Sequence, residues 1–276
     1  SRLALQILSD ALIHAGYTGE LAVGNIIKDT NLGSIAGTDC IGKAAAYDIN
    51  NYLVVATADG NGDALGCITD ALPLTPVLMI KSVRPMKLLD STSDGIIDYP
   101  EPIIGKNTYI IANNNSGILF DGADKPPSIT IGGDIPGGNA WLYQAQIYYI
   151  RDKGIATPQL CRKVLAWNGK TMALVTEELV EDIENMRFLF GVDTNADGNV
   201  DKYSNAKAVT NWNNISSVEI YILVRSSSPD FQYEDNKTYN LADLPPIVAP
   251  ADNFHRQVMQ TTLSLPNPSF AIRSNL

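Results

Sequence analysis

Two runs of strict alternation constrain this chain more than any other feature. In one, Trp141, Tyr143, Ala145, Ile147 and Tyr149 alternate with Leu142, Gln144, Gln146 and Tyr148. In the other, Val218, Ile220, Ile222 and Val224 alternate with Glu219, Tyr221, Leu223 and Arg225. Period two sends successive side chains to opposite faces of an extended strand, which a helix cannot do. Shorter runs of the same character predict further strands at Tyr52–Thr57, Val77–Val83, Thr108–Ala112, Gly117–Phe120, Ser128–Ile131, Leu160–Trp167, Met172–Thr176, Met186–Phe190 and Gln257–Leu265. They are rich in Val, Ile and Tyr, with Gly, Asn, Asp or Pro between them. An antiparallel β module is the expected product.

The beginning of the chain is different. SRLALQILSDALIHAG sets Leu5, Leu8, Leu12 and Ala15 on one stripe, with Arg2, Gln6, Ser9 and Asp10 on the other side of a helix. Gly16 is placed to end that helix. No Met and no capping box open it, so it reads as a cut through a longer helix, made by processing or truncation. One helix followed by strands is an α+β pattern. The segment LPPIVAP (244–250) reads as an extended surface crossing, and no linker marks a domain boundary. The chain therefore reads as one unit, 1–16 helix and 17–276 β-rich head.

Hydrophobic residues make up 45% of the chain and charged residues 18%, enough for a real core. The net charge is -10 and no Lys/Arg cluster occurs, which speaks against nucleic acid as a partner. An acidic surface rich in Asn, Gly and Thr suits a secreted or periplasmic protein. No apolar run reaches the ~18 residues of a spanning helix. Of the three cysteines, Cys40 and Cys67 would pair in an oxidising compartment, while Cys161 sits in an apolar run and reads as a packed thiol. Spacing alone leaves all three pairings open, and three free thiols as well.

Familiar catalytic patterns are missing. Neither His14 nor His255 has a serine or cysteine context that marks a triad. Gly169-Lys170-Thr171 resembles the tail of a P-loop, but Val164 stands where its first Gly belongs. Gly60, Gly62 and Gly66 miss the dinucleotide spacing. A carboxylate-pair hydrolase is the enzymatic alternative that the many acids leave open. The expectation is a protein without catalysis.

The densest chemistry lies in FGVDTNADGNVDKY. Asp193, Asn195, Asp197, Gly198 and Asp201 form D-x-N-x-D-G-x-x-D. Oxygen ligands at positions one, three, five and nine curl inward around the bend that Gly198 allows, and Asn199 offers a carbonyl. Calcium suits such hard oxygens, and a structural ion held by Asp193, Asn195, Asp197, Asn199 and Asp201 is expected. Ser204 stands where an EF-hand has its bidentate Glu, and no helix pair flanks the turn. A plain polar hairpin turn is the competing reading. Asp90, Thr92, Asp94, Gly95 and Asp98 repeat the spacing with a poorer ligand set, and Asp59, Asn61 and Asp63 are weaker still.

Taken in order, these elements resemble a known family. The run LVEDIENMRFLFGVDTNADGNVDKY, then Trp212, then VEIYILVRS, is similar to the C-terminal half of PilW-type minor pilins of type IV pili. The turn opens at Phe190-Gly191-Val192-Asp193, and the following strand ends at Val224-Arg225-Ser226. LQILSDALIHAGYTG resembles the end of the long pilin helix, with Ala15-Gly16-Tyr17 leading into the head. Leu160-Cys161-Arg162 resembles a Leu-aromatic-Arg element with Cys at the aromatic place, and His255-Arg256 resembles the entry to the final strand. The likeness covers about 1–20 and 140–265. Residues 21–139 carry no recognisable motif, and Leu265–Leu276 departs from the short basic finish of the family.

The resemblance implies a pilin-like α+β fold: a truncated N-terminal helix packed on an antiparallel β-sheet head with large insertions. It implies a minor pilin that helps initiate pilus assembly at or near the tip. Its partners would be other minor pilins, the major pilin and a large tip adhesin. The missing part of the helix would hold it in the inner membrane before export into the extracellular fimbria. Leu5, Leu8 and Leu12 would be shared between head packing and partner packing. A J-type minor pseudopilin of type II secretion is a close alternative, which the Asp-Gly-rich turn before Trp212 disfavours. A calcium-dependent extracellular adhesin or lectin is a third reading.

Overall fold

Helix α1 spans Arg2–Ile13. The computed structural model describes residues 1–266 except 22, 36, 153–156, 196 and 243–244, and leaves the side chains of Val23 and Asn213 undescribed. Gly16 stops the helix as the sequence predicts. Its φ is +71°, and a Cβ there would stand 2.9 Å from the Tyr52 ring. The Gly16 amide donates to Lys81 O at 3.1 Å, so the helix ends over the middle of a long strand.

That strand belongs to an eight-stranded sheet. Its members are β1 (Ile26–Lys28), β2 (Leu53–Thr57), β3 (Pro76–Leu88), β4 (Thr108–Ala112), β5 (Gly117–Asp121), β6 (Asn139–Arg151), β7 (Gln159–Trp167) and β8 (Met172–Glu181). The order is β1-β5-β4-β6-β3-β2, with β7 on β6 and β8 on β7. All pairings in it are antiparallel except β1 with β5. Strand β6 is long enough to serve two partners along one edge. Residues 139–142 pair with β4, and residues 146–151 pair with β7.

A second sheet holds β9 (Ile183–Val192), β10 (Lys202–Ser204), β11 (Ile215–Arg225) and β14 (Arg256–Ser264), in the order β10-β9-β11-β14. A two-stranded ribbon, β12 (Thr238–Tyr239) with β13 (Ile247–Val248), completes the list. The extended stretch expected around 244–250 supplies β13, although Leu244 lies outside the described residues.

Strand β6 buries apolar side chains on both of its faces, whereas β11 buries Val218, Ile220 and Ile222 and leaves Glu219 and Tyr221 half-buried on the other face. Trp141, Tyr143, Ala145, Ile147 and Tyr149 enter a core under the loops of residues 21–75. Tyr148 and Ile150 point the other way, into a core shared with α1 and the second sheet. There Ala4, Leu8, Leu12 and Ala15 meet Leu78, Ile80 and Leu160 of one sheet and Met186, Phe188, Val218, Ile220 and Ile222 of the other. Ala140 and Leu142, at the start of β6, face a third core with Leu88, Ile97, Tyr109 and Phe120. This third core lies past the point where α1 ends, under the segments 89–107 and 122–138. The later part of the motif-poor middle therefore builds the end of the head away from the start of the helix.

Two expectations change. Ser128–Ile131 is a loop rather than a strand, because Ser128 and Ile129 spend backbone groups on Ile135 and Gly137 within the same loop. The helix stripe also rotates. Ala4, Leu8 and Leu12 are fully buried, whereas Leu5 is half-buried. Of the cysteines, Cys40 and Cys67 form the disulfide, and Cys161 is a free buried thiol on β7.

Candidate cation turn and assembly face

The acidic turn of residues 193–201 joins β9 to β10. The hairpin is closed by the Asp201 amide on Val192 O at 3.0 Å, with Lys202 opposite Val192 and Tyr203 opposite Gly191. Gly191 is required by close approach: a Cβ there would lie 2.1 Å from Ser217 Oγ. A register shift between Ile215 and Ser217 of β11 sits beside it. On that irregular stretch the Asp193 amide donates to Asn214 O at 2.8 Å, which ties the turn to the Trp212–Asn214 segment. Trp212 meets Phe190 edge to face, with centroids 4.9 Å apart and planes at 71°. Such pairs contribute roughly 1 kcal/mol beyond area burial.

Within the turn, Asp193 is 3% exposed, although it belongs to an otherwise exposed loop. Its Oδ2 accepts from the Gly198 amide at 2.7 Å, and Gly198 adopts φ +92°. Its Oδ1 is buried and, among the described residues, has no hydrogen-bond partner. The other expected ligands are exposed. Asn195 Oδ1 accepts from the Asp197 amide at 3.0 Å, and Asp197 Oδ1 accepts from the Asn199 amide at 2.8 Å. Asp201 Oδ2 accepts from the Thr194 amide at 2.8 Å and from the Thr194 hydroxyl. Those two donors hold the Asp201 carboxyl below the usual carboxylate range. Among the described residues no three His, Cys, Asp or Glu side chains converge as a finished metal site.

The turn of residues 90–98 has the same wiring. The Gly95 amide donates to Asp90 Oδ2 at 2.6 Å, and Gly95 has φ +88°. The Ser91 amide and hydroxyl donate to Asp98 at 2.8 and 2.9 Å, as Thr194 does to Asp201. One difference separates the two turns. Asp90 Oδ1 accepts from the amides of Thr92 and Asp94, at 3.1 and 3.2 Å. At Asp59, Oδ1 accepts from Asn61 and Asp63 amides at 2.8 and 3.0 Å, an ordinary side-chain-capped turn.

The helix presents a second surface. Leu8 and Leu12 have no area to offer a partner while the head is folded, and Leu5 has little. The outward face consists of Leu3 (54% exposed), Gln6, Asp10 and Ile13 (37% exposed), while Ile7, like Leu5, is half-buried against the shared core. The sequence stripe missed these residues because eight of the twelve helix residues are apolar, so periodicity alone did not select the inner side.

A charged cluster that the sequence did not reveal lies where β9, β11 and β14 end together. Arg256 donates to Glu184, Asp235 and Asp252, and Tyr233 and Tyr239 donate to Asp235. Arg225 lies over the Phe254 ring at 4.4 Å. No local motif joins residues so far apart in the chain.

Comparison with known proteins addresses the half of the chain that carries this turn. Residues 147–267 match the family model described as Type IV Pilus-assembly protein W, PilW. The second half of this chain is PilW-like. The PilW match runs from the middle of β6 through β14 and takes in the acidic turn, Trp212 and Arg256. A type IV-like pilin from Thermus thermophilus is similar in structure at a TM-score of 0.39 and 11% identity, over 96% of this chain and 95% of that one. No curated protein sequence matches the chain.

Proposed function

We propose that this protein is a minor pilin that helps initiate assembly of type IV pili and sits at or near the pilus tip. The observation that carries the reading is the PilW match on a head whose two sheets close over one face of an N-terminal helix. That arrangement leaves Leu3 and Ile13 on the opposite face, where apolar side chains gain by burial against a neighbouring subunit. The role is structural, with other minor pilins, the major pilin and a tip adhesin as partners. The Cys40–Cys67 disulfide suits assembly in the oxidising periplasm and display outside the cell, after a stage in the inner membrane.

The placement near the tip draws on the third core. Residues 84–138 extend the head beyond the end of α1, with Ile96, Ile104 and Ile131 exposed there. A subunit inside a filament has that end covered by the next subunit, whereas a terminal subunit has room for such an insertion.

The test is a deletion strain and immunogold labelling of sheared pili with antibody against the head. The expected result is a marked loss of surface pili in the deletion strain and sparse label at filament ends in the parent. Unchanged pilus numbers would overturn the assembly role. Dense label along the shafts would overturn the position.

A further inference from the structure

The two acidic turns are a comparison built into one molecule. Both run Asp, Ser or Thr, two residues, Asp-Gly, one residue, an aliphatic residue and Asp. Both bend at a glycine of positive φ, and both use the ninth residue to accept from the second. If this wiring were only a way to make a tight corner, the first aspartate would be satisfied alike in each. It is not. Asp90 is partly exposed and both of its oxygens accept backbone amides. Asp193 is almost fully buried and one of its oxygens accepts none among the described residues.

A buried carboxylate oxygen without a donor is expensive, and proteins repay it with a hydrogen bond, a paired charge or a metal. The carboxylate of Asp193 points into the turn, because its other oxygen is held by the Gly198 amide. Within eight residues of it the same turn carries Asn195, Asp197 and Asp201, all exposed and able to rotate at little cost. Their present partners are amides and one hydroxyl of the turn itself, and the one on Asp197 Oδ2 is the exposed side-chain amide of Asn195 at 3.2 Å, which a cation can displace. We infer that the turn of residues 193–201 binds one calcium ion, with Asp193 Oδ1 as its fixed ligand, and that the turn of residues 90–98 does not.

The choice of calcium follows from the ligand set. Carboxylates, an amide oxygen and backbone carbonyls on an exposed turn suit its large, irregular oxygen shell, whereas magnesium demands a tighter octahedron. The ion answers the uncompensated charge of Asp193 and opposes the repulsion among three carboxylates in one turn. It also braces the Trp212 segment, since the backbone of Asp193 is bonded to Asn214. The site stands independently of the pilus assignment.

The experiment uses the chain stripped of metal, with its metal content checked by elemental analysis. Calcium chloride is titrated in by calorimetry and followed by thermal unfolding and Trp fluorescence, with magnesium chloride in parallel. The expected result is one calcium per chain, a raised melting temperature, and weaker or absent response to magnesium. Asp193→Asn should weaken binding by about tenfold or more, because affinity follows the charge and number of ligands. Asp90→Asn should leave it unchanged. No binding to the stripped chain, or the same affinity in Asp193→Asn, overturns the inference. So does loss of binding in a folded Asp90→Asn variant. Should Asp193→Asn fail to fold, the exposed Asp197→Asn and Asp201→Asn carry the same expectation, and full affinity in both overturns it.

Discussion

Arg256 and Asp235 pair at 3.1 Å with side chains only 3% and 0% exposed. Arg256 opens the last strand, while Asp235 lies in the long segment between β11 and β14. The same guanidinium bonds to Asp252 and to Glu184 of β9, so one side chain staples that segment to the second sheet. Breaking a buried pair from one side leaves uncompensated charge, at about 3–5 kcal/mol. Arg256→Met is expected to lower stability by that amount in urea unfolding. A loss under about 1 kcal/mol would show that the carboxylates rearrange to water and that the cluster is not a staple.

The same cluster sets an acid limit. Arg256 holds the Asp252 carboxyl below its ordinary value of 3.8. Burial pushes Asp235 up, but the bonds from Tyr239 and Arg256 outweigh it and its value is also lowered. The fold thus prefers the ionised forms. Their stabilisation is present above the ordinary value and is lost as pH falls through the lower folded values. Stability should decline steeply below about pH 4, and Asp252→Asn should make that decline shallower. Equal acid slopes for the parent and the variant would exclude this origin.

The helix separates two kinds of leucine. Leu8 is fully buried among both sheets, and Leu3 is more than half exposed. Leu8→Glu places a carboxylate in an apolar core and should prevent folding, read as loss of the cooperative melting transition. Leu3→Glu should leave the melting temperature within a few degrees, since surface changes usually stay within about 0.5 kcal/mol. In cells that produce the protein, Leu3→Glu with Ile13→Glu should reduce piliation while the protein persists. Normal piliation by that double variant would remove the outward helix face as an assembly surface.

The strands were legible where alternation was strong. Thr108–Ala112 matches in full, and the runs at Trp141 and Val218 needed only a few residues more at their ends. The short strands β1, β10, β12 and β13 were not seen, because two or three residues are too few to show a period. Which face of β6 met which core could not be read, since both faces are apolar and the difference is set by distant loops. The acidic turn was legible from spacing, but the distinction between its two copies was not. That distinction rests on the burial of Asp193, whose backbone is tied to Asn214 from another part of the chain. The Arg256 cluster was invisible because its partners lie on separate elements.

The Cys40–Cys67 bridge closes a loop of sequence separation 27 over one face of the large sheet. Chain-entropy arguments assign a loop of that size about 3–4 kcal/mol. Replacing both cysteines by Ala should lower stability by that order, checked by denaturant unfolding under non-reducing conditions. Cys161 should stay unreactive toward a thiol reagent in the native state. Burial pushes its thiol up to about 11, so little thiolate exists near neutral pH. Rapid labelling of a native, folded sample would contradict its place in the core.

Lys81 is the least expected buried charge, with its backbone carbonyl at the end of α1 and its side chain wholly enclosed. Its Nζ donates to Lys43 O at 2.8 Å and to Asp48 O at 2.6 Å, which pins the loop that carries the disulfide against the sheet. Burial lowers its pKa from the ordinary 10.5 to about 8, against the pull of Asp48 and Asp39. Between those values the unfolded chain binds more protons at this site than the folded one, so stability rises with pH there. The slope reaches at most about 1.4 kcal/mol per pH unit. Lys81→Met should be less stable throughout, because two carbonyls lose their donor, and should lack this rise. Urea midpoints taken from about pH 8 to pH 9, where few tyrosines of the unfolded chain ionise, give the comparison. A variant that keeps the parent's slope would show that the lysine stays protonated across the range and that its two carbonyl partners fully offset its burial.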